Sequence, residues 1–258
     1  MTKIIQISDT HLLREGAFAS KNLQPAKSLK KLVSRISQIQ LEVGLIDAII
    51  VSGDISDDGS IGSYQLFNSI LSPLKVPLFL IPGNHDIRNS FRSIFSPAGY
   101  LPASGKLIWY QKVEKLHLIG LDTLIEGENK GELDGETLNF LKSTLDELRN
   151  GPVILMLHHP PFETGVKLMD SIGLCTGKDQ FSKVIGAYSG ELIVVCGHIH
   201  MNMVTQLNGH SVISAPSTCS TFEYNIQNDA PINVLKQDGG FVLHVWSQGF
   251  KSIRIDAP

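Results

Sequence analysis

Five times along this 258-residue chain, a short apolar run stops abruptly in a block of Asp, Asn and His. The blocks are Asp9-Thr10-His11, Gly53-Asp54, Gly83-Asn84-His85-Asp86, His158-His159 and Gly197-His198-Ile199-His200. Short apolar runs bounded by turn residues read as buried strands, and amphipathic stretches lie between several of them. Leu29, Leu32, Val33, Ile36 and Ile39 recur at three- and four-residue steps, which predicts a helix over 26–42. Further helices are expected near 63–71, 89–95, 135–148 and 179–187. Strands are expected at 3–8, 47–52, 76–81, 107–113, 115–121, 153–157 and 192–196. The remainder is strand-rich, with a hairpin pivoting on Asn208-Gly209 and terminal strands near 241–247 and 252–255.

Alternating strand and helix, with near-continuous apolar strands, predicts an α/β chain whose largely parallel sheet is covered by helices on both faces. The later hairpins suggest a second sheet packed against the first. No internal repeat, linker or charge block divides the chain, so 1–258 reads as one domain, with 202–258 completing the second sheet.

Lys plus Arg total 22 against 25 Asp plus Glu, a net charge of −3, which removes the positive field that a nucleic-acid polymer or a membrane surface would demand. No run approaches the ~18 apolar residues of a membrane-spanning helix. The start, MTKIIQISDT, reaches Asp9 before a signal-peptide core has room to form. Cys175, Cys196 and Cys219 make neither a disulfide framework nor a CxxC pair. The expectation is a cytoplasmic protein with buried thiols.

Each block has an ordinary reading: Asp9 as a helix cap, Asp54 as turn chemistry, His158 and His159 as strand-end imidazoles. Their coincidence argues otherwise. Six of the nine histidines fall in these blocks, leaving His117, His210 and His244 scattered. Residues just past the carboxyl ends of neighbouring strands converge in space, and His198 and His200, two apart in an extended segment, share a face. Two Asp, one Asn and four His combine hard oxygen with borderline imidazole donors and no thiolate, a set suited to Zn, Mn, Fe or Co. Seven ligands exceed a closed four-ligand zinc site and match two ions sharing one carboxylate, for which Asp54 is the natural bridge.

In order, these blocks read D-x-H, GD, GNHD, a His, and GHxH. That pattern resembles the calcineurin-like metallophosphoesterases. LHHPP at 157–161, LMDSIGL at 168–174, CGHIH at 196–200, NGH at 208–210 and PSTCSTF at 216–222 narrow the resemblance. They are similar to class III cyclic-nucleotide phosphodiesterases and the related bacterial glycerophosphodiesterases. The resemblance implies a four-layer α/β/β/α sandwich of two mixed sheets flanked by helices. It makes Asp9, His11 and His200 ligands of one metal, Asn84, His158 and His198 ligands of the other, and Asp54 the bridge. His85 would face the phosphate with Asn84, and Asp57 stands where related phosphatases pair a carboxylate with that His. His159 is expected beside the ligands rather than among them.

The implied reaction is hydrolysis of a small phosphodiester by in-line attack of metal-bound hydroxide, with 3′,5′-cyclic AMP opened to 5′-AMP as the leading case. A broad glycerophosphodiesterase, a phosphomonoesterase and a non-catalytic scaffold of the same fold are the alternatives. Arg88 reads either as a phosphate contact or as a solvated helix start, and Phe222 and Tyr224 as pocket walls or core. Relatives often pair through the strand-rich C-terminal part, so a homodimer is expected, and FVLHVW at 241–246 suits an interface as readily as a core strand.

Overall fold

Period-two alternation along the strands sends their apolar side chains to two different surfaces. In β1 (Thr2–Ile7), Ile5 and Ile7 pack with Leu29, Leu32 and Ile36 of α1 (Pro25–Val43), whereas Ile4 joins a separate cluster with Trp109, Leu118, Ile154 and Val195. The computed structural model, which describes residues 1–14, 23–227, 233–237 and 239–257, resolves this sorting into four layers.

The first sheet also contains β2 (Ala48–Val51), β3 (Leu78–Leu80), β14 (Gly240–Trp246) and β15 (Phe250–Asp256), in the order β15-β14-β1-β2-β3. Its outer face is covered by α1, α2 (Ile61–Leu71) and α3 (Arg88–Phe95). The second sheet runs β10-β11-β9-β7-β5-β4. Its strands are β4 (Trp109–Val113), β5 (Leu116–Gly120), β7 (Val153–Met156), β9 (Leu192–Cys196), β10 (Val204–Leu207) and β11 (His210–Ser214). Its outer face packs on α4 (Gly135–Leu148) and α6 (Lys178–Gly186). The inner faces meet through Ile4, Ile50 and Ile81 on one side and Leu118, Ile154, Met156 and Ile193 on the other. The expectation of helices on both faces of one sheet is therefore corrected. Continuous apolar strands require two buried faces, but they do not say whether a helix or another sheet does the burying.

Two short pairs were not expected from the sequence: β6 (Gly131–Glu132) with β8 (Leu174–Thr176), and β12 (Ser220–Phe222) with β13 (Val234–Lys236). Between β6 and β8 in sequence lies α5 (Lys167–Ser171), which overlaps the LMDSIGL segment. The 202–258 segment is a second correction, because it does not complete the second sheet alone. β10 and β11 join that sheet, whereas β14 pairs with β1 and carries β15 on its far side. Phe241–His244 are buried in β14 between two strands and belong to the core, Val245 and Trp246 are half-buried, and β15 is the exposed edge.

A buried polar chain crosses the sandwich. His244 Nε2 donates to Gln6 Oε1 (3.0 Å), and Gln6 Nε2 donates to Ser52 Oγ and the Cys196 carbonyl, both at 2.9 Å. Ser252 Oγ lies 2.8 Å from His244 Nδ1, so the neutral ring is satisfied at both nitrogens. Burial pushes this imidazole from 6.5 down to about 3. Below pH 6.5 the unfolded chain binds a proton that the folded chain does not, so His244 lowers stability as pH falls through that window, by up to about 1.4 kcal/mol per pH unit. Urea unfolding of the metal-free protein at pH 7.5 and 5 is expected to show a smaller pH-dependent loss for His244→Gln than for the wild type. Equal losses would remove His244 from the account.

Candidate metal centre

All five sequence blocks follow carboxyl ends of strands: Asp9 and His11 after β1, Asp54 after β2, Asn84 and His85 after β3, His158 after β7, and His198 and His200 after β9. Main-chain bonds stitch these loops together. Asp9 N donates to the Gly53 carbonyl and His11 N to the Asp54 carbonyl, both at 3.0 Å, and Gly197 N donates to the His158 carbonyl at 3.0 Å. Asp9 caps no helix. Its two carboxylate oxygens each accept from His198 N at 3.1 Å, across 189 residues of chain.

The local backbone is strained where these side chains sit. Asp9 (φ 53°), His11 (43°), Asp54 (51°), His198 (71°) and His200 (53°) all occupy the left-handed region, which costs a non-glycine residue roughly 1–2 kcal/mol. Such strain persists only where the surrounding contacts over-determine it. Gly53, at φ 99°, and Gly83 make the approach possible, since a Cβ on the first would enter the His158 ring and one on the second the Asp54 carboxylate.

The seven predicted donors converge in two groups. In one, Asn84 Oδ1 lies 3.1 Å from His158 Nε2 and 2.9 Å from His198 Nδ1, and His158 Nε2 lies 3.3 Å from Asp54 Oδ2. In the other, His11 Nε2 lies 3.0 Å from His200 Nε2 and 3.6 Å from Asp54 Oδ2, and His200 Nε2 lies 3.6 Å from Asp9 Oδ1. One oxygen, Asp54 Oδ2, faces both groups. Asp54 Oδ1 is held by the backbone N–H of His85 at 2.9 Å.

Outer partners fix which nitrogen each ring turns inward. His158 Nδ1 must donate to the Ser52 carbonyl (2.7 Å), so in the neutral ring a bare Nε2 faces the Asp54 carboxylate. His11 Nδ1 likewise donates to Asp57 Oδ1 at 3.0 Å. Acceptors meeting without a proton repel one another, and the cluster therefore calls for positive charge. Burial alone would depress His158 and His11, but Asp54 acting on the first, and Asp57 with Asp54 on the second, push both up to about 9. Burial and the charge on His158 push His198 down to about 3, and burial with His11 holds His200 well below the usual range. Burial raises Asp9, whereas His158 and His11 overcome burial to hold Asp54 well below a normal carboxylate.

These donors fit divalent cations. Atoms about 2.1 Å from one ion stand roughly 3.0–3.4 Å apart at tetrahedral or octahedral angles, close to the spacings here.

His159 is buried beside His198, with both nitrogens engaged by Thr123 Oγ1 (2.8 Å) and the Asn129 carbonyl (3.2 Å). Burial and the neighbouring His198 and His158 keep it neutral. Arg88 is a correction. It neither reaches into the cavity nor lies in solvent, because its Nε and Nη2 clasp Asp122 at 2.7 and 2.9 Å. Asp122, fully buried at the end of β5, also accepts from Leu107 N and Leu124 N. The pairing was invisible in sequence because its partner comes from the other sheet.

Asp86 was present in the GNHD block without an assigned task. Its carboxylate accepts from Gly83 N, Ser56 N, Ile55 N and Tyr64 Oη at 2.8–3.3 Å, tying the Asp54 loop to the Asn84 loop.

A cavity of about 160 Å³ opens over the donors, lined by His11, Asp54, Asn84, His85, His198 and His200. Asn129, Met169, Ile172 and Phe222 complete its lining. Phe222 packs tilted against the His200 ring, with ring centroids 4.6 Å apart, so it is a wall; Tyr224 is exposed and donates to the Thr164 carbonyl. No Lys or Arg among the described residues lines this cavity. No helix among the described residues is long and apolar enough to cross a membrane.

Known proteins are similar to this chain in sequence and in fold. The family model for calcineurin-like phosphoesterase matches residues 2–202. A probable glycerophosphodiester phosphodiesterase, GpdQ, of Arcobacter nitrofigilis is 29% identical over 245 residues, covering 95% of this chain and 89% of its own. The 3′,5′-cyclic adenosine monophosphate phosphodiesterase CpdA of Escherichia coli is 29% identical over 226 residues, 88% of this chain and 79% of its own. Among solved structures, a dimetal phosphatase from Danio rerio superposes over 100% of this chain and 99% of its own with a TM-score of 0.67 at 14% identity, a likeness of fold. With a family match over the residues that hold all five sequence blocks and the same layered fold, this chain belongs to the calcineurin-like phosphoesterases.

Proposed function

We propose that this protein is a two-metal phosphodiesterase that opens 3′,5′-cyclic AMP to 5′-AMP. The observation that carries the two-metal reading is the position of Asp54 Oδ2, 3.3 Å from His158 Nε2 and 3.6 Å from His11 Nε2, as one carboxylate shared by two donor sets requires. Asp9, His11 and His200 would hold one ion, and Asn84, His158 and His198 the other; Fe, Mn, Zn and Co all suit these donors. When bound, such ions activate water and neutralise charge on phosphate oxygens.

The chain's own groups supply the rest. His85 Nδ1 donates to the Asp57 carbonyl at 3.0 Å, so in the doubly protonated ring the Nε2–H of this cavity-lining side chain would donate to a phosphate oxygen or hand its proton to the leaving oxygen. The backbone N–H of His85 keeps Asp54 aimed, and the Asp54–His85 link ties the bridge to the phosphate side. Met169, Ile172 and Phe222 in the lining offer an apolar surface to a sugar or base.

A cavity with no described Lys or Arg in its lining suits a singly charged diester better than a dianionic monoester. A glycerophosphodiester is the second reading, favoured by the relative that covers 95% of this chain. Cys196 and Cys219 are buried as expected, Cys175 is exposed and corrects that expectation, and all three thiols are free, which suits a cytoplasmic setting. The test compares kcat/KM for cyclic AMP, glycerophosphoethanolamine, bis(p-nitrophenyl) phosphate and p-nitrophenyl phosphate, after loading with Mn and, separately, with Zn or Fe. Cyclic AMP is expected to lead, with the bis ester ahead of the monoester. Faster turnover of the monoester would sink the diesterase reading, and faster turnover of glycerophosphoethanolamine would replace the cyclic substrate.

A further inference from the structure

We infer that Asp57 is a positioning residue for metal binding, acting through His11 rather than as the carboxylate partner of His85. The inference rests on the two-metal reading above. The resemblance offered an Asp57–His85 pair, but the distances divide differently. Asp57 Oδ1 lies 3.0 Å from His11 Nδ1 and 3.5 Å from His85 Nδ1. His85 has a nearer acceptor, the main-chain carbonyl of Asp57 at 3.0 Å, which no side-chain substitution removes. His11 Nδ1 has the carboxylate.

The consequence is geometric. With its proton on Nδ1 and committed to Asp57, the His11 ring turns a bare Nε2 toward Asp54 Oδ2 and His200 Nε2. His11 also sits at φ 43°, an uncommon conformation that surrounding contacts must hold. Its side chain therefore depends on an outside partner for tautomer and orientation. Asp57 is suited to that task because its own backbone is anchored, with its N–H donating to the Leu12 carbonyl at 2.9 Å, one residue beyond His11. A carboxylate that orients a ligating imidazole typically contributes 10- to 100-fold in metal affinity.

The test titrates metal-free protein with Mn²⁺ alone, by calorimetry and by the electron paramagnetic resonance signal of free Mn²⁺. Asp57→Asn retains an acceptor without the charge, and Asp57→Ala removes both. The Asp57 side chain is 38% exposed, so folding should tolerate either change. Asp57→Ala is expected to weaken one of two Mn²⁺ equivalents by about 10- to 100-fold, with Asp57→Asn intermediate and His85→Ala binding both like the wild type. Wild-type Mn²⁺ affinity in both Asp57 variants, together with a rate loss matching His85→Ala, would overturn the inference and restore the Asp57–His85 pair. A wild-type protein that binds fewer than two Mn²⁺ would instead remove the two-metal reading beneath it.

Discussion

Asp54→Ala is expected to lose both metal ions and to cut phosphodiester hydrolysis by about three orders of magnitude or more. The size follows from position. Asp54 Oδ2 lies 3.3 Å from His158 Nε2 and 3.6 Å from His11 Nε2, and the residue is almost fully buried, so its loss removes the oxygen that faces both donor groups. Removing it also leaves His85 N–H without its acceptor and strips the compensating charge from two imidazoles that Asp54 helps push up to about 9. Metal analysis after dialysis, alongside turnover of bis(p-nitrophenyl) phosphate, checks both halves. Two tightly held ions in Asp54→Ala would contradict the shared-carboxylate geometry.

His85→Ala separates binding from chemistry. The ring lines the cavity and reaches the Asp57 carbonyl, yet it contributes to neither donor group, so the variant should keep two ions and lose about 10²- to 10⁴-fold in kcat. The backbone N–H that holds Asp54 is untouched by the substitution. The loss should appear in kcat with metal content unchanged; loss of both ions would show that the ring supports the metals and not the phosphate.

Much of the site was legible before any fold was known, because metal chemistry restricts residue type. Only Asp, Asn and His at strand ends supply the required mixture of donors, and their repetition after apolar runs is a pattern that packing alone does not produce. Helix positions followed from apolar periodicity, as in α1 and α4, where the stripes of Leu29, Leu32 and Ile36, and of Leu141 and Leu145, face the core. The short pieces β6, β8, β12 and β13 were missed because two- or three-residue pairs carry too few side chains to show a period. Arg88 and Asp86 were misjudged or left unassigned for another reason. Their partners, Asp122 in the first case and Tyr64 with the Ser56 and Ile55 amides in the second, are distant in sequence.

What the sequence determined by itself was chemical identity: which donors exist, how many, and that they leave strands where neighbouring loops can meet. What only the tertiary structure decided was direction. Five candidate ligands adopt left-handed backbone, His158 turns Nε2 inward because Ser52 takes its other nitrogen, and Asp57 leans toward His11. Those choices depend on bonds between loops that the chain order separates, many of them from opposite sheets. Local sequence cannot encode them, since the energy that holds each strained residue comes from partners brought near only when the two sheets pack.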